Sequence, residues 1–489
     1  GNEELVLDYF FTNSDKSIFA LKNVPAAVQA YFYMGISRFP GVRERFIKVL
    51  QEQGCFEAVA EAVKTGNCTE NAMRKLSDFA REKNRNVFFD YGHWSSGESG
   101  TIFFVSEKNP IYATEIQQDF YFPLTTMELS TRYSRKFSIE GVYWDPELMK
   151  TEFAEEAKKT IAKNLGLYEN GFGLLAQKMR EKNEKQELPE KVSVLDSLRN
   201  LIPIATYTTV ILGGNTRAVL EHFKKLLSCG DSFTKEYAEE CMKEGAKIFP
   251  EYYSGMAPAQ GAIDREKRLS EYAKKEFGKK FSRAKENIKM FLDLPAEETA
   301  LAQILYPYCN ITFEELFGRV SGLKKQEREE IFRIATEGRK NRDPPPRGFE
   351  TRPAIFEVEA PWSLWKDFKR NRMNLRFHQP MRGLSGFEIP DLIKGSAIEK
   401  DYCDAMQKTS DLIEKVFQKY PALSKTVAAQ GNKKRFLLCM GARQLTVLAE
   451  LRTCGEGDKG YRRIASRMIE LAKEKKPELF AHIQDNYKK

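Results

Sequence analysis

Histidine and tryptophan are scarce in this chain, four of each in 489 residues, and cysteine is thinly spread. The eight cysteines, at 55, 68, 229, 241, 309, 403, 439 and 454, form no C-x-x-C pair. So few histidines beside unpaired cysteines exclude a zinc-ligand pattern and a disulfide framework; reduced, mostly buried thiols and no metal site are expected. Long apolar runs are missing too. The stretch "LIPIATYTTVILGGNT" at 201–216, which has no charged side chain, falls short of the roughly 20 apolar residues that cross a bilayer. The start, "GNEELVLDYFF", has no basic segment ahead of an apolar core, so no secretory signal is expected. There is no basic low-complexity tail, which argues against a nucleic-acid partner. A cytoplasmic protein without a membrane is the expectation.

What the chain does have is enough apolar residue, 42% of the sequence, to bury a sizeable core. Its 78 basic and 69 acidic side chains give a formal net charge of +9, which suits anionic ligands and solubility alike. The main organising signal is an internal repeat. "NTRAVLEHFKKLLSCGDSFTKEYAEECMKEGAKIFPEYY" (215–253) overlays "GARQLTVLAELRTCGEGDKGYRRIASRMIELAKEKKPELF" (441–480): an arginine, a helix-periodic run, Leu-x-Ser/Thr-Cys-Gly-Asp/Glu or its close variant, a second helix and then proline. Upstream, "PIYATEIQQDFYF" (110–122) overlays "PWSLWKDFKRNR" (361–372), each preceded by an alternating, strand-like run, "TIFFVSEK" and "AIFEVEA". Repeat 1 is placed within 1–255, a charged helical connector within 256–285, and repeat 2 within 286–489.

Helical patterns dominate both repeats, for example "VRERFIKVLQEQG", closed by Gly54, and "ENAMRKLSDFAREK". Strands are few, with "VFFDYG" and "TIFFVSEK" as candidates, and residues 146–185 read as a long helical excursion with a glycine-containing break. The fold class expected is α+β, helix-rich, with a small, mainly antiparallel sheet packed by helices in each repeat.

The densest polar cluster is "TMELSTRYS", where Glu128, Ser130, Thr131 and Arg132 follow one another closely. Hydroxyls and backbone N–H groups beside a guanidinium make an anion cradle, since a phosphate takes several donors and one planar, bidentate cation. A solvated polar turn has the same composition.

These residues resemble the signature of the flavin-dependent thymidylate synthases, an Arg-His-Arg triplet followed by Glu-x-Ser-x-Arg. Repeat 1 keeps "ELSTRYS" (128–134) but has Phe120-Tyr121-Phe122 in place of the triplet. Repeat 2 keeps Arg370-Asn371-Arg372 and an arginine at Arg382, but His378 and Pro380 stand where repeat 1 has Glu128 and Ser130. The family's arginine at a helix end is Arg452 in "ELRTCGEG", against Leu227 in repeat 1; the arginine before a Leu-Pro-like segment is Arg199, against Lys425 in repeat 2. The losses are complementary. In the family each site forms where subunits of a tetramer meet, so a homodimer of this fused chain would imitate the tetramer.

The resemblance implies conversion of dUMP to dTMP, with methylenetetrahydrofolate as carbon donor and FAD, reduced by NADPH, as hydride source. It implies Arg452 and Ser130 as catalytic residues. Glu128, Leu129, Ser130, Thr131, Arg132, Arg199, Arg370 and Arg452 would bind dUMP. Arg370, Asn371, Arg372, Glu128, Asn215, Arg217 and Ser95 would bind FAD, with His93 and Glu98 in the same segment as Ser95. No cysteine is assigned as nucleophile. Plainer readings stand beside these: Lys366, Lys369 and Arg370 as a solvated helix face, which the reciprocal losses argue against, Asn215 as a helix cap, and Trp362 and Trp365 as core or interface. A non-catalytic nucleotide or flavin scaffold, or flavin-dependent methylation of another uracil acceptor such as RNA, are the alternative functions.

Overall fold

The computed structural model describes residues 1–35, 41–90, 97–120, 124–132, 137–182, 190–278, 280–338, 346–369, 374–455, 457–480 and 483–488. Their strands form two sheets. β1 (Thr101–Pro110), β2 (Thr125–Glu128) and β3 (Tyr207–Asn215) are ordered β1-β3-β2. β4 (Ile288–Leu292), β5 (Ala354–Pro361), β6 (Leu375–His378) and β7 (Lys433–Met440) are ordered β4-β5-β7-β6, with every neighbouring pair antiparallel. Without β4 the two orders are the same: first strand, last strand, middle strand. The helix-rich α+β class expected from periodicity is the one found.

The elements between the strands recur as well. A short helical segment follows the first strand of each set (Thr114–Gln117; Trp362–Phe368), and a long helix follows the middle one (Ala154–Lys182; Glu399–Lys419). A 3-10 turn then leads into the last strand (Arg199–Leu201; Pro421–Val427). Two helices come after it (Thr216–Leu227 and Ser232–Ile248; Ala442–Arg452 and Lys459–Lys475), and then a short helix opened by proline (Pro250–Tyr253; Pro477–Phe480). Individual hydrogen bonds repeat. Ile111 N donates to Thr206 O (3.0 Å) and Tyr112 N to Ile204 O (2.8 Å), just as Trp362 N donates to Asn432 O (3.0 Å) and Ser363 N to Gln430 O (2.9 Å). The donors are 251 positions apart and the acceptors 226, the offsets of the sequence overlay.

The counterparts also meet. Pro203 bridges Ala429, its own equivalent 226 positions on, with Ile204 N donating to Ala428 O (2.8 Å) and Gln430 N to Ile202 O (2.9 Å). That pair of bonds is related by a local two-fold axis. Gly431 N reaches Asn200 O at 2.8 Å in the same crossing.

The chain forms two compact units. The first holds 1–105, 120–127 and 211–259, with a core of N-terminal helices built on Phe10, Phe46, Leu50, Val59 and Leu76. The second holds 106–119, 128–210 and 260–489, so β1, β2 and β3 each run from one unit into the other. In the second unit Ile355, Leu375, Phe377, Leu437 and Cys439 share a core with the helices Ala296–Leu305, Phe313–Ser321 and Lys325–Thr336. β5 is therefore buried on both faces although its sequence alternates: Glu357 points into that core and accepts from Tyr306 Oη (2.9 Å) and Phe313 N (2.7 Å). In the first unit Phe103, Val105, Met127 and Ile211 are exposed, so the alternation of β1 does mark a half-covered strand.

Two expectations are corrected. "VFFDYG" is no strand: Asn86–Asp90 continue the helix Arg74–Arg85 as a π-helical turn that buries Phe88 against Tyr252, with ring centroids 5.1 Å apart; Tyr91 and Gly92 lie outside the described residues. An apolar run this short does not fix a period. The excursion carries no glycine break either. Ala154–Lys182 is one helix through Gly166, Gly171 and Gly173, and a Cβ on Gly171 would come within 2.9 Å of Leu198 Cδ2 and 3.0 Å of Ile398 Cδ1. That glycine serves close packing. All eight cysteines are free, and Cys55, Cys241, Cys309 and Cys439 are buried. Among the described residues no helix is long and apolar enough to cross a membrane, and no three potential metal ligands gather.

A pair of glycine substitutions tests the crossing. A Cβ on Gly431 would lie 2.8 Å from Asn200 Cβ and 2.9 Å from Asn200 O, so Gly431→Ala is expected to lower the unfolding free energy by about 1–3 kcal/mol. Gly173, whose Cβ would meet nothing within 4 Å, is expected to gain about 0.5–1 kcal/mol as alanine. Denaturant midpoints read both.

Candidate functional site

The loop that begins at Glu128 lies in the second unit. Leu129 N donates to Thr209 O on β3 at 2.9 Å, and the counterpart loop of repeat 2 is tied in the same way, Gln379 N to Arg435 O at 3.0 Å. This matches Glu128 with His378, Ser130 with Pro380 and Arg132 with Arg382, as the sequence overlay does. Ser130 Oγ accepts from Arg132 N (3.3 Å), which folds the hydroxyl over the loop, and Thr131 is buried with Oγ1 3.5 Å from Gln430 Oε1. Leu129 is exposed. Arg132 makes a bidentate pair with Asp196, Nε to Oδ1 at 2.7 Å and Nη2 to Oδ2 at 2.9 Å. Burial opposes its charge, but Asp196 outweighs burial and the guanidinium is held more strongly protonated than usual. Arg382 is paired the same way with Glu414, at 3.0 and 2.7 Å.

Arg199 stands in the 3-10 turn that enters the crossing and is 1% exposed. Nη2 lies 3.0 Å from Asp458 Oδ2 and 3.3 Å from Asp367 Oδ2, and Nε lies 3.9 Å from Asp196 Oδ1. Burial works against the guanidinium, yet the carboxylates around it raise its pKa further. Asp458 is pushed upward, first by burial and then by Asp196 and Asp367, with Arg199 opposing. Its other oxygen caps the helix Lys459–Lys475, accepting from Gly460 N at 2.6 Å. Arg452, in the last turn of Ala442–Arg452, donates from Nη2 to Asp367 O (3.0 Å) and lies 5.3 Å from the Tyr461 ring centroid. Burial raises the Tyr461 hydroxyl, with Asp367 adding to it, while Arg452 and Arg132 pull it down. Arg132 and Arg199 from repeat 1 and Arg452 from repeat 2 thus belong to one network, closed by Asp196, Asp367, Asp458 and Tyr461.

Lys366 and Lys369 are not a solvated face. Both are buried: Lys366 Nζ lies 2.8 Å from Glu128 Oε1, and Lys369 Nζ lies 3.6 Å from Glu128 Oε2 and bonds Thr114 Oγ1. Helical spacing placed them correctly, but the helix Trp362–Phe368 is buried on every side, so there was no solvent face to find. Trp362 and Trp365 are core. The counterpart of Lys366 is Glu115. It is buried and pairs with Lys434 Nζ (2.5 Å), with His378 Nδ1 3.7 Å away. Burial would raise the Glu115 carboxyl, but His378, Lys434 and Lys369 together hold it down at about 2. Burial depresses His378 to about 4, so at neutral pH the cations that keep Glu115 ionised are Lys434, first, and Lys369.

Of the residues assigned to flavin, Arg370, Asn371, Arg372, Ser95 and His93 lie outside the described residues. Asn215 and Arg217 are in the first unit. Asn215 caps Thr216–Leu227, accepting from Ala218 N at 2.8 Å, and Arg217 in the first turn pairs with Glu98, both side chains part-exposed. The segment with Glu98 lies close on that helix start: a Cβ on Gly97 would come 3.2 Å from Arg217 N.

The sequence reading passed over Asp196, Asp367, Asp458 and Tyr461. Asp196 had a signal, three residues before Arg199 on a helical pattern. Asp458 had the signature of a helix cap, which hides a second role. Asp367 meets its arginines only through contacts distant in the chain, and Tyr461 meets Arg452 across the turn between two helices; no local pattern marks either.

Residues 48–251 and 318–478 match the family of the thymidylate synthase complementing protein. A UPF0159 protein of Chlamydia muridarum is 26% identical over 496 residues, covering 96% of this chain and 91% of that protein. A UPF0159 protein of Chlamydia pneumoniae is 25% identical with 95% and 90% covered, and the Thermoplasma acidophilum UPF0159 protein Ta1429 is 24% identical over 321 residues, 64% of this chain and 62% of that one.

Two stability measurements test these charges. Removing the guanidinium in Arg199→Met leaves three carboxylates facing one another and is expected to cost about 3–5 kcal/mol at pH 7. Asp458, already pushed upward by burial, is expected to rise further without Arg199; a raised carboxyl favours folding at acid pH and loses that contribution as pH rises, so the deficit against wild type narrows toward pH 4. Glu115 has the opposite sign: depressed to about 2, it contributes stability above pH 4.5 that is lost as pH falls toward 2, up to roughly 3 kcal/mol. The acid limb of the unfolding free energy between pH 4.5 and 2 is expected to flatten in Glu115→Gln.

Proposed function

From the premise that the chain belongs to the family of the thymidylate synthase complementing protein, the flavin-dependent thymidylate synthases, we propose that it methylates C5 of dUMP. The carbon comes from methylenetetrahydrofolate, and NADPH reduces the flavin, FAD. The observation that carries this reading is the single network that holds, beside Arg132, Arg199 and Arg452, each an arginine that one repeat retains and the other lacks.

The chemistry divides among these residues. Arg132 offers a planar pair of donors for a phosphate, and Asp196 occupies those donors with a carboxylate of similar bite. Nucleotide uptake then exchanges one anion for another. Ser130 lies beside Arg132 to donate to the same group, and Arg199 supplies charge behind it. Arg452, part-exposed and stacked near Tyr461, fits the uracil edge, where a cation favours the N3-deprotonated ring and makes C5 more nucleophilic. As C5 gains the new carbon its hydrogen leaves as a proton.

The donors of the first unit fit a phosphate-bearing cofactor. Arg217 presents a part-exposed guanidinium in the first turn of a 12-residue helix, where diphosphates are favoured. Asn215 and Arg217 would hold FAD there. When bound, reduced flavin supplies the hydride that turns the transferred carbon into a methyl group.

A specific observation favours a second reading. The carboxylates of Asp196, Asp367 and Asp458 already compensate the guanidinium groups of Arg132 and Arg199 before any nucleotide enters; a non-catalytic nucleotide-binding scaffold tolerates such a balance. Proton release separates the two. With FAD, NADPH and methylenetetrahydrofolate, the purified chain is expected to release tritium from [5-³H]dUMP, and Arg452→Ala to release it at least 100-fold more slowly. Nucleotide binding without tritium release leaves the scaffold, and no binding removes both.

A further inference from the structure

Resting on the nucleotide-loop reading above, we propose that Lys366 is a positioning residue: its buried ammonium sets the path of Glu128 and Leu129 and so the place where Ser130 and Arg132 meet the nucleotide phosphate. Lys366 belongs to neither the loop nor the triplet. It is 1% exposed, with Nζ 2.8 Å from Glu128 Oε1 and 3.3 Å from Leu129 O. Leu129 is therefore gripped twice, by its N–H on Thr209 O at 2.9 Å and by its carbonyl on Lys366. The other Glu128 oxygen faces Lys369 Nζ at 3.6 Å and Gln118 Nε2 at 3.4 Å. Both of these side chains are buried.

The internal repeat supplies a built-in comparison. The contact of Lys366 with Glu128 has a counterpart, Glu115 with His378, at 3.7 Å. There the pair has changed character: the lysine position carries a carboxylate, the carboxylate position an imidazole, and Lys434 neutralises the carboxylate at 2.5 Å. The loop that follows His378 has Pro380 in place of Ser130, and a proline ring restrains φ without help from a distant cation. The loop with the hydroxyl has no such restraint of its own. Burying an ammonium is unfavourable unless it is paired and hydrogen-bonded, and Lys366 spends its ion pair and its hydrogen bond on two consecutive loop residues. A side chain that only filled volume beside Trp362 and Trp365 would not need a charge there.

The test uses the full chain with dUMP as probe. Lys366→Met keeps the stem and deletes the ammonium, Lys366→Arg keeps a cation, and Glu128→Gln/Lys366→Met removes both charges so that neither is left buried alone. Lys366→Met is expected to raise the Kd and KM for dUMP at least tenfold with kcat changed less than threefold, and Lys366→Arg to recover most of the affinity. The double variant is expected to bind dUMP no more weakly than Glu128→Gln. If Lys366→Met does not fold, the double variant and Lys366→Arg carry the comparison with Glu128→Gln. Amide exchange at 129–132, faster in Lys366→Met while the exchange of β7 stays unchanged, reads the loop without any substrate, so failure of wild type to bind dUMP sinks the proposed function and leaves this inference to be judged by exchange. Unchanged dUMP affinity in a folded Lys366→Met, unchanged loop exchange, or a double variant that binds much more weakly than Glu128→Gln would overturn it.

Discussion

The crossing of 200–204 with 428–431 is the constraint on which the candidate site depends. Two equivalent stretches of a duplicated sequence pair through equivalent bonds, Ile204 N to Ala428 O and Gln430 N to Ile202 O. Arg199 enters the crossing one residue before it begins, so its guanidinium is delivered among Asp367 and Asp458 of the other repeat. The close approach of Gly431 to Asn200 leaves no room for a side chain. A shift in this register would separate Arg199 from both carboxylates.

Duplication followed by divergence explains the uneven distribution of charge. The two loops keep the same backbone anchor and the same bidentate arginine, Arg132 on Asp196 and Arg382 on Glu414, while the side chains around them have parted. On one side two buried lysines converge on Glu128; on the other Glu115, Lys434 and a neutral His378 form a closed group. The Lys366–Glu128 and Glu115–His378 contacts each join one residue from each repeat, so the two equivalent places have diverged in opposite senses. The sheets have diverged in cover as well. The second carries the helices of 296–336 on a face rich in Leu437, Phe377 and Ile355, whereas Phe103, Val105 and Met127 in the first unit face solvent.

Much of this was legible beforehand, for a definite reason. The offsets of 226 and 251 positions recur in the hydrogen bonds because a duplicated sequence keeps its backbone pairing long after its side chains drift. Long amphipathic runs gave the helices, since their period is repeated several times over. Short runs failed where one turn's worth of residues had to decide, as at Asn86–Asp90. Composition misled where tertiary cover reversed it: Lys366, Lys369 and Glu357 are charged residues on elements with no exposed face, and only the layers packed on them make that so.

The sequence by itself determined the α+β class, the repeat, and which arginines each copy retained, because these reside in local period and in the comparison of one half with the other. The tertiary structure alone decided what those arginines face. Asp367 and Asp458 pair with Arg199 across 168 and 259 positions of chain, and such pairings are set by where folded segments cross, which no window of neighbouring residues contains.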